Sequence, residues 1–541
     1  MTESQPPSGG TPSSPQRSAQ RPSAVLPVEV AELAASIGLV PDAGAGRVEV
    51  TGISLDSRTV QPGDLYLALP GERVHGASFA AAAIAAGAVA VVTDEEGAQL
   101  LAAVPPVPVL VVENPRSVAG GLAQRIYRHS PVELFGLTGT NGKTTTSYLI
   151  RSLLAALGRG SGLIGTIETL AGDTAVPATL TTPEATDVHA LIALMAEKSL
   201  DAVVMEVSSH ALAFGRVDGL VFDVAGFTNL TQDHLDLHGT MEAYAATKSR
   251  LFSKAHSRTA VVTVDDAWGR WIADAAEVPV LTLQTEPAEA GPADWRVESA
   301  VPQGLGWQIE LRADAAQGED RSFRFRTSLP GRFNIANAAL AVLMVFASGV
   351  PAEQLQRVLD EQDPLSIDVP GRMQLIGREP VAVVDFAHNP DALQRAMDAV
   401  RPNRPGRLIT VFGATGQRDQ GKRPIMGALA ARGSDVVIVT DDDPHDEDAS
   451  QIREQVLAGA REAVATDAPD TLLETVAPRA AAIERAVAMA GRADTILIAG
   501  RGHEHWQEVR GVNLALDDRQ ELREALLRHG FTPEPVPGIE S

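Results

Sequence analysis

No cysteine occurs anywhere in the 541 residues, which removes disulfides, thiolate metal sites and cysteine nucleophiles from the available chemistry. Positive charge is also scarce. Lys and Arg total 45 against 69 Asp and Glu, a formal charge of −24, so no nucleic-acid partner held by general electrostatics is expected and small anions need local basic sites. No stretch approaches the roughly 18 apolar residues of a membrane span, so no membrane partner is expected. Residues 1–24 lack the apolar core of a signal peptide; rich in Ser, Pro, Gln and Gly, they read as a disordered tail. A soluble, cytoplasmic chain is the default expectation.

The chain is too long for one core, and 44% hydrophobic residues suffice to build several. Residues 25–125 alternate apolar runs (64–69, 88–92, 107–112) with an alanine-rich helix near 79–86, predicting a small α/β domain. Residues 126–365 continue with strands at 201–207, 221–228 and 259–264 between helical patterns, predicting a mostly parallel sheet. Residues 363–371 read as a linker because two prolines and a glycine interrupt any regular pattern. Residues 366–541 then repeat the alternation, with strands at 381–386, 407–412, 435–440 and 495–499. The expected fold class is α/β in three domains: an N-terminal ligand-binding domain, a central P-loop domain on a parallel sheet, and a Rossmann-like C-terminal domain.

The central feature is Val132 to Thr146, an apolar strand running into a glycine-rich turn and a helix. Gly139, Thr140, Asn141 and Gly142 let backbone N–H groups approach phosphate oxygens, Lys143 adds a cation, and Thr144 can hold Mg²⁺. The strict P-loop has glycine where Leu137 stands, so this is a shortened variant, but Leu149, Leu153 and Leu157 supply the following amphipathic helix.

Ligands in such sheets collect past the carboxyl ends of strands, where Glu206-Val-Ser-Ser-His210 and Asn229-Leu-Thr-Gln-Asp-His234 fall. Glu206 ends a buried-looking strand, where a bound cation would compensate its charge; an ion pair at the strand end is the plainer reading. His234, between Asp233 and Asp236, offers a second ligand set. Lys248 lies on an amphipathic helix and, taken alone, reads as a solvated or snorkelling lysine. Leu55-Asp-Ser-Arg58 closes a strand and reads first as a capped turn.

These residues, in this order, resemble the Mur ligases of bacterial cell-wall synthesis, and among them the ligases that extend the UDP-N-acetylmuramoyl dipeptide. The resemblance spans residues 50–515. It rests on Gly139 to Thr145, Met205 to His210 with Arg216, Asn229 to His234 through Lys248, and Pro330 to Asn337. In the last third it adds Val369 to Met373, Val384 to Asp391, Gly421 to Pro424 and Gly500 to Glu504. It implies an ATP- and Mg²⁺-dependent amide ligase: γ-phosphate moves to a substrate carboxylate, and an amine captures the acyl phosphate. By residue, it implies ATP contacts at Gly139 to Thr145, Asn337, Arg372, Asp385 and His388. Metal ligands would be Thr144, Glu206, His234 and a CO₂-derived carbamate on Lys248. Leu55, Ser57, Thr181, Thr182, Ser208 and Arg216 would hold the UDP-sugar peptide, and Lys143, Glu206, His234 and Lys248 form the catalytic set. Phe386 stands where the family often has tyrosine, and Ala414-Thr-Gly-Gln417 replaces a Cys-Gly-Gly-Asp-like run. A monomer is expected.

The family's incoming amine is usually meso-diaminopimelate or L-lysine, which differ by one distal carboxylate. Diaminopimelate enzymes carry Asp-Asn-Pro-Arg, whose guanidinium reads that carboxylate; here the run is Asp442-Asp443-Pro444-His445. With the arginine absent and an acid added, L-lysine is the expected co-substrate. Arg418 would hold its carboxylate, and Asp442, Asp443, His445, Gly500 and Glu504 would line its site. Ligases adding D-Ala-D-Ala or glutamate are rivals, disfavoured by the Thr-Asn in the loop and by Glu-Val-Ser-Ser-His. A nucleotide-dependent switch or scaffold would need neither Lys248 nor the Gly500 to Glu504 motif.

Overall fold

The computed structural model describes residues 21–40, 45–71, 73–101, 107–129, 131–177, 180–286, 291–314, 321–402, 405–417 and 419–535. At its centre the strand Glu133–Thr138 lies in an 11-stranded sheet, with Ala202–Glu206 on one side and Phe222–Phe227 on the other. All three are parallel, and the register sets Glu206 beside Leu137 and Phe227 beside Thr138. Three carboxyl ends therefore open into one crevice, beside the phosphate loop. Helix Lys143–Ala156 packs Leu149, Ile150, Leu153 and Leu154 beneath the sheet, against Phe333–Ala347.

The expected parallel sheet is there, but both margins are antiparallel. Thr169–Ala171 and Thr174–Val176 flank one side; Trp295–Gln303, Gly306–Ala313 and Ser322–Thr327 extend the other. Ser322–Thr327 buries alternate residues, as a one-sided antiparallel strand does, whereas Ala202–Glu206 is buried at every position, as parallel strands are.

The N-terminal sheet holds four parallel strands, Gly52–Ser54, Asp64–Leu67, Ala90–Thr93 and Val109–Val111. Its core is not confined to residues 25–125, since Ala185, Ala190 and Ala193 of helix Ala185–Glu197 complete it. The expected tail also needs correction at its end. Arg21 reaches Asp64 at 2.6 Å and the Ser23 N–H donates to Glu197 at 2.8 Å, so residues 21–24 are tied to two lobes. Residues 1–20 lie outside the described residues.

The C-terminal sheet has six strands. Gln374–Arg378 is antiparallel to Val381–Asp385, and Thr495–Ala499, Leu408–Phe412, Val436–Val439 and Leu472–Thr475 follow in parallel. A separate hairpin pairs Trp506–Val509 with Val512–Ala515. The linker expected at 363–371 is not a loose tether: Leu365 and Val369 are buried in the central core. Gly371, at φ +61°, lies so close to the 502–503 backbone that a Cβ would meet the His503 nitrogen at 2.1 Å. Among the described residues no helix is long and apolar enough to cross a membrane.

Candidate active site

The phosphate loop is shaped by two glycines. Gly139 has φ +143°, and a Cβ there would sit 1.9 Å from Thr228 Oγ1; Gly142 has φ +92°, and its Cβ would sit 2.3 Å from Asn337 Oδ1. Between them the loop is pinned to Asn229. Thr140 N–H donates to its carbonyl at 2.8 Å, Asn141 N–H donates to its Oδ1 at 3.0 Å, and Asn229 Nδ2 donates to the Asn141 carbonyl at 3.0 Å. The helix from Lys143 has no side-chain cap, so its leading N–H groups and dipole end suit an anion. Lys143 Nζ donates to the carbonyls of Gly139 at 3.0 Å and Thr140 at 2.9 Å.

Glu206 is fully buried yet well satisfied: Oε2 accepts from Thr144 Oγ1 at 3.0 Å and Thr166 Oγ1 at 2.9 Å, and Oε1 accepts from Thr166 N–H at 2.9 Å. No ion pair holds Glu206 among the described residues, so the plainer sequence reading does not apply. Lys248 is 1% exposed, which overturns the reading of it as a solvated lysine. Its Nζ donates to the Gly139 carbonyl at 2.7 Å and lies 4.6 Å from the Tyr244 ring centroid. Burial, and then the Lys143 charge, push the Lys248 amine well below the ordinary lysine range.

His234 adopts φ +52°, uncommon for a non-glycine residue, and faces Asp233 at 3.7 Å and the His210 ring at 5.0 Å between centroids. Burial pushes its imidazole down to about 4, against the pull of Asp233, so it is a neutral nitrogen donor at pH 7. Among the described residues no three His, Cys, Asp or Glu side chains form a ready-made metal cage. The hydroxyl of Thr144 and the carboxylate of Glu206 are hard oxygen donors, and Mg²⁺ characteristically takes one or two such protein ligands and completes its shell with phosphate and water.

The C-terminal lobe closes this crevice. The Arg372 guanidinium stacks 4.2 Å from the Phe386 centroid, with Nη2 3.4 Å from Thr144 Oγ1 and Nη1 3.4 Å from His503 Nδ1. Asn141 Nδ2 donates to Asp391 at 3.3 Å, and Asn389 Nδ2 to Asn141 Oδ1 at 3.4 Å. A pocket between the lobes is lined by Gly142, Thr145, Asn337, Arg372, Asp385 and His388. Asp385 is held by N–H groups of Met373 at 2.7 Å and Ala387 at 2.9 Å, and His388 Nδ1 lies 2.8 Å from the Phe386 carbonyl. Burial raises Asp385 above the usual carboxylate range and lowers His388.

Thr181, Thr182, Ser208 and Arg216 gather behind Glu206. Thr182 Oγ1 donates to the Glu206 carbonyl at 2.8 Å and accepts from Ser208 N–H at 3.1 Å; Thr181 Oγ1 lies 3.2 Å from Thr166 Oγ1; Arg216 Nη1 donates to the Thr182 carbonyl at 3.2 Å. Glu184 then bridges Arg216 to Arg116 of the N-terminal lobe, both at 2.9 Å, and both guanidinium groups sit 5.9 Å from the Phe214 ring. Leu55 and Ser57 are half-buried in a turn that Asp56 caps through the Arg58 N–H at 2.9 Å. No direct contact joins them to the Thr182 group among the described hydrogen bonds.

The acidic loop converges on Arg501, which is 0% exposed. Asp443 pairs with Arg501 directly, with Glu504 at 3.4 Å and Asp442 at 3.7 Å. Gly500, at φ +117°, is so near that a Cβ would meet Asp442 Oδ2 at 2.7 Å. Burial and then Asp442 push the Glu504 carboxyl up to about 8, against Arg501. His445 has φ +50° and its Nδ1 lies 3.0 Å from Glu508. Asp446, Glu447 and Asp448 do other work: Asp446 accepts from Gln417 at 3.1 Å, Glu447 pairs with buried Arg423 at 2.8 Å, and Asp448 caps helix Ala449–Thr466. Arg418 lies outside the described residues.

Sequence reasoning missed Arg116, Thr166, Glu184 and His503, which act across lobes. His503, inside the Gly500 to Glu504 motif, was the most findable; burial and then Arg372 push its imidazole down to about 3.

Three family models match consecutive segments: the Mur ligase family catalytic domain over 49–127, the Mur ligase middle domain over 137–345 and the Mur ligase glutamate ligase domain over 371–502. A Streptomyces avermitilis protein named UDP-N-acetylmuramoyl-L-alanyl-D-glutamate 2,6-diaminopimelate ligase is 44% identical over 94% of this chain and 98% of its own. One from Leifsonia xyli, named UDP-N-acetylmuramyl-tripeptide synthetase, is 42% identical over 96% and 99%. A solved diaminopimelate ligase of the same type aligns with TM-score 0.64 and 31% identity, covering 94% of this chain and 100% of that one.

Proposed function

From the premise that the chain belongs to the Mur ligase family, we propose that it joins L-lysine to the D-glutamate γ-carboxylate of UDP-N-acetylmuramoyl-L-alanyl-D-glutamate, consuming ATP. The observation that carries the ligase reading is Arg372 of the C-terminal lobe at 3.4 Å from Thr144 Oγ1, itself 3.0 Å from Glu206. One cation thus reaches across the lobe boundary to the end of the phosphate loop, where charge would develop during phosphoryl transfer.

In the first step a carboxylate oxygen of the dipeptide attacks the γ-phosphorus; the bond to ADP breaks and an acyl phosphate forms. Lys143, Arg372 and the leading N–H groups of the helix from Lys143 stabilise the transferring phosphoryl charge. Thr144, Glu206 and His234 are the groups assigned to Mg²⁺, which when bound neutralises phosphate charge. Lys248 would supply a further ligand as a carbamate: its deprotonated amine adds to CO₂, an N–C bond forms, one proton leaves, and a neutral amine becomes a carboxylate. In the second step the amine attacks the acyl carbon, the C–O bond to phosphate breaks, and an amide, phosphate and a proton result. The closed lobes keep water from the acyl phosphate.

The choice of lysine rests on Asp442, Asp443 and Glu504, three acids around one guanidinium, and on His445 where an arginine would read a distal carboxylate. The test is phosphate release from ATP with the UDP-muramoyl dipeptide and a panel of diamino acids. Turnover with meso-diaminopimelate faster than with L-lysine, under matched conditions, reverses the specificity. Phosphate release independent of any amine removes the ligase reading and favours a nucleotide switch.

A further inference from the structure

The hairpin pairing Trp506–Val509 with Val512–Ala515 is clasped to the acidic loop. Gln507 Nε2 donates to the Asp442 carbonyl at 2.6 Å, Glu508 N–H donates to Asp443 Oδ1 at 3.1 Å, and Arg510 N–H donates to the His445 carbonyl at 2.8 Å. Arg501, which holds Asp443, also donates to the Trp506 carbonyl. These bonds, from residues 506–510, tie the first strand and turn of the hairpin to residues 442–445. Its one acidic side chain, Glu508, meets His445 at 3.0 Å and remains about two-fifths exposed.

We propose that Glu508 is a specificity-determining residue for the incoming amino acid, its carboxylate forming with His445 the distal wall of the amino-acid site. The inference rests on the ligase reading above and deepens it. His445 stands at the position that would read a distal carboxylate, and Glu508 occupies its Nδ1 face. A distal ammonium is offered a carboxylate there, whereas a distal carboxylate meets like charge, with the imidazole already engaged. His445 holds this pose at φ +50°, a backbone conformation that histidine rarely adopts and that the hairpin bonds at 3.3 Å and 2.8 Å fix in place.

The discriminating experiment measures kcat and KM for L-lysine and for meso-diaminopimelate, with the full-length enzyme, ATP and the UDP-muramoyl dipeptide. Glu508→Gln removes charge and keeps shape. Its expected effect is a fall of about tenfold in the ratio of kcat/KM for L-lysine to that for diaminopimelate, the size of one charge-assisted hydrogen bond. The fall should reside in KM, with kcat for L-lysine near wild type, and Glu508→Asp should restore part of it. A ratio within threefold of wild type, or equal losses with both amino acids, overturns the inference, because a merely structural hairpin acts on both alike. Melting temperature checks folding; if Glu508→Gln unfolds the lobe, Glu508→Ala and His445→Gln carry the same ratio test. Phosphate release by the wild-type enzyme independent of any amine would instead defeat the ligase reading, which keeps the two failures distinct.

Discussion

Replacing Arg372 by methionine removes the guanidinium that reaches from the C-terminal lobe to Thr144 while keeping a chain of similar length. Two interactions go with it. A charge-assisted contact to phosphate is worth about 1.5–3 kcal/mol, and the stack on Phe386, seen at 4.2 Å, about 0.5–2 kcal/mol. Together they amount to about 2–5 kcal/mol, which at about 1.4 kcal/mol per decade is a loss of roughly 30- to 4,000-fold in kcat/KM for ATP. Phe386→Leu removes only the stack and should cost roughly two- to thirtyfold, always less than Arg372→Met. Steady-state phosphate release with saturating dipeptide and amino acid measures both, and a melting curve confirms that each variant is folded. If folded Arg372→Met stays within threefold of wild type, or if Phe386→Leu is equally damaging, Arg372 does not act on the phosphates.

Three further outcomes are expected. Gly142→Ala puts a Cβ 2.3 Å from Asn337 Oδ1 at φ +92°, adding about 1–2 kcal/mol of backbone strain to the clash, so nucleotide affinity by calorimetry should fall at least roughly tenfold; unchanged affinity would show the loop to be plastic. Wild-type enzyme stripped of CO₂ should lose activity and regain it with bicarbonate, with a ¹³C-carbamate signal absent from Lys248→Met; full activity in CO₂-free buffer without that signal refutes the carbamate. The Glu504 carboxyl, pushed up to about 8, should ionise late, so kcat/KM for the amino acid should rise with pH through 8, and Glu504→Gln should abolish that inflection. The stability term has the opposite sign: folding favours the protonated acid, so the contribution is full below about 4.5, the ordinary value, and is lost as pH rises through 8. Melting temperature between pH 7 and 9 should therefore fall less in the glutamine variant.

What was legible in the sequence was whatever a short run of residues determines by itself. The turn Gly139 to Thr145 needs glycines at fixed offsets, and parallel strands buried on both faces read as continuous apolar runs, so the strands at 133–138, 202–206 and 222–227 announced themselves. The alternation in Ser-Phe-Arg-Phe-Arg-Thr at 322–327 was equally visible and was passed over, although it marks a half-buried antiparallel strand. Contacts between distant segments were not legible. Arg116 and Arg216 share Glu184 across a lobe boundary, and His503 meets Arg372 from 131 residues away; neither leaves a local pattern. Lys248 shows the limit most sharply, because the same helical spacing serves a snorkelling lysine and one that is 1% exposed. The linker at 363–371 was legible as a stretch without helix or strand, because prolines and a glycine interrupt it, but the burial of Leu365 and Val369 in the central core was not.

The position of Lys248 carries a chemical argument of its own. Its Nζ and that of Lys143 both donate to the single carbonyl of Gly139, at 2.7 Å and 3.0 Å. Two ammonium ions so close, both removed from bulk water, repel strongly. Burial first, and then this repulsion, push the Lys248 amine well below the ordinary lysine range, which favours its nucleophilic form without an added base. The proposed carbamylation would go further, since it would set a carboxylate opposite the Lys143 ammonium at the mouth of the phosphate loop. A methionine or glutamine at 248 relieves the repulsion equally well but supplies no carboxylate, so structure and nucleotide binding should survive such a change while amide formation does not. That separation between binding and turnover is what distinguishes a lysine retained for its chemistry from one retained for packing.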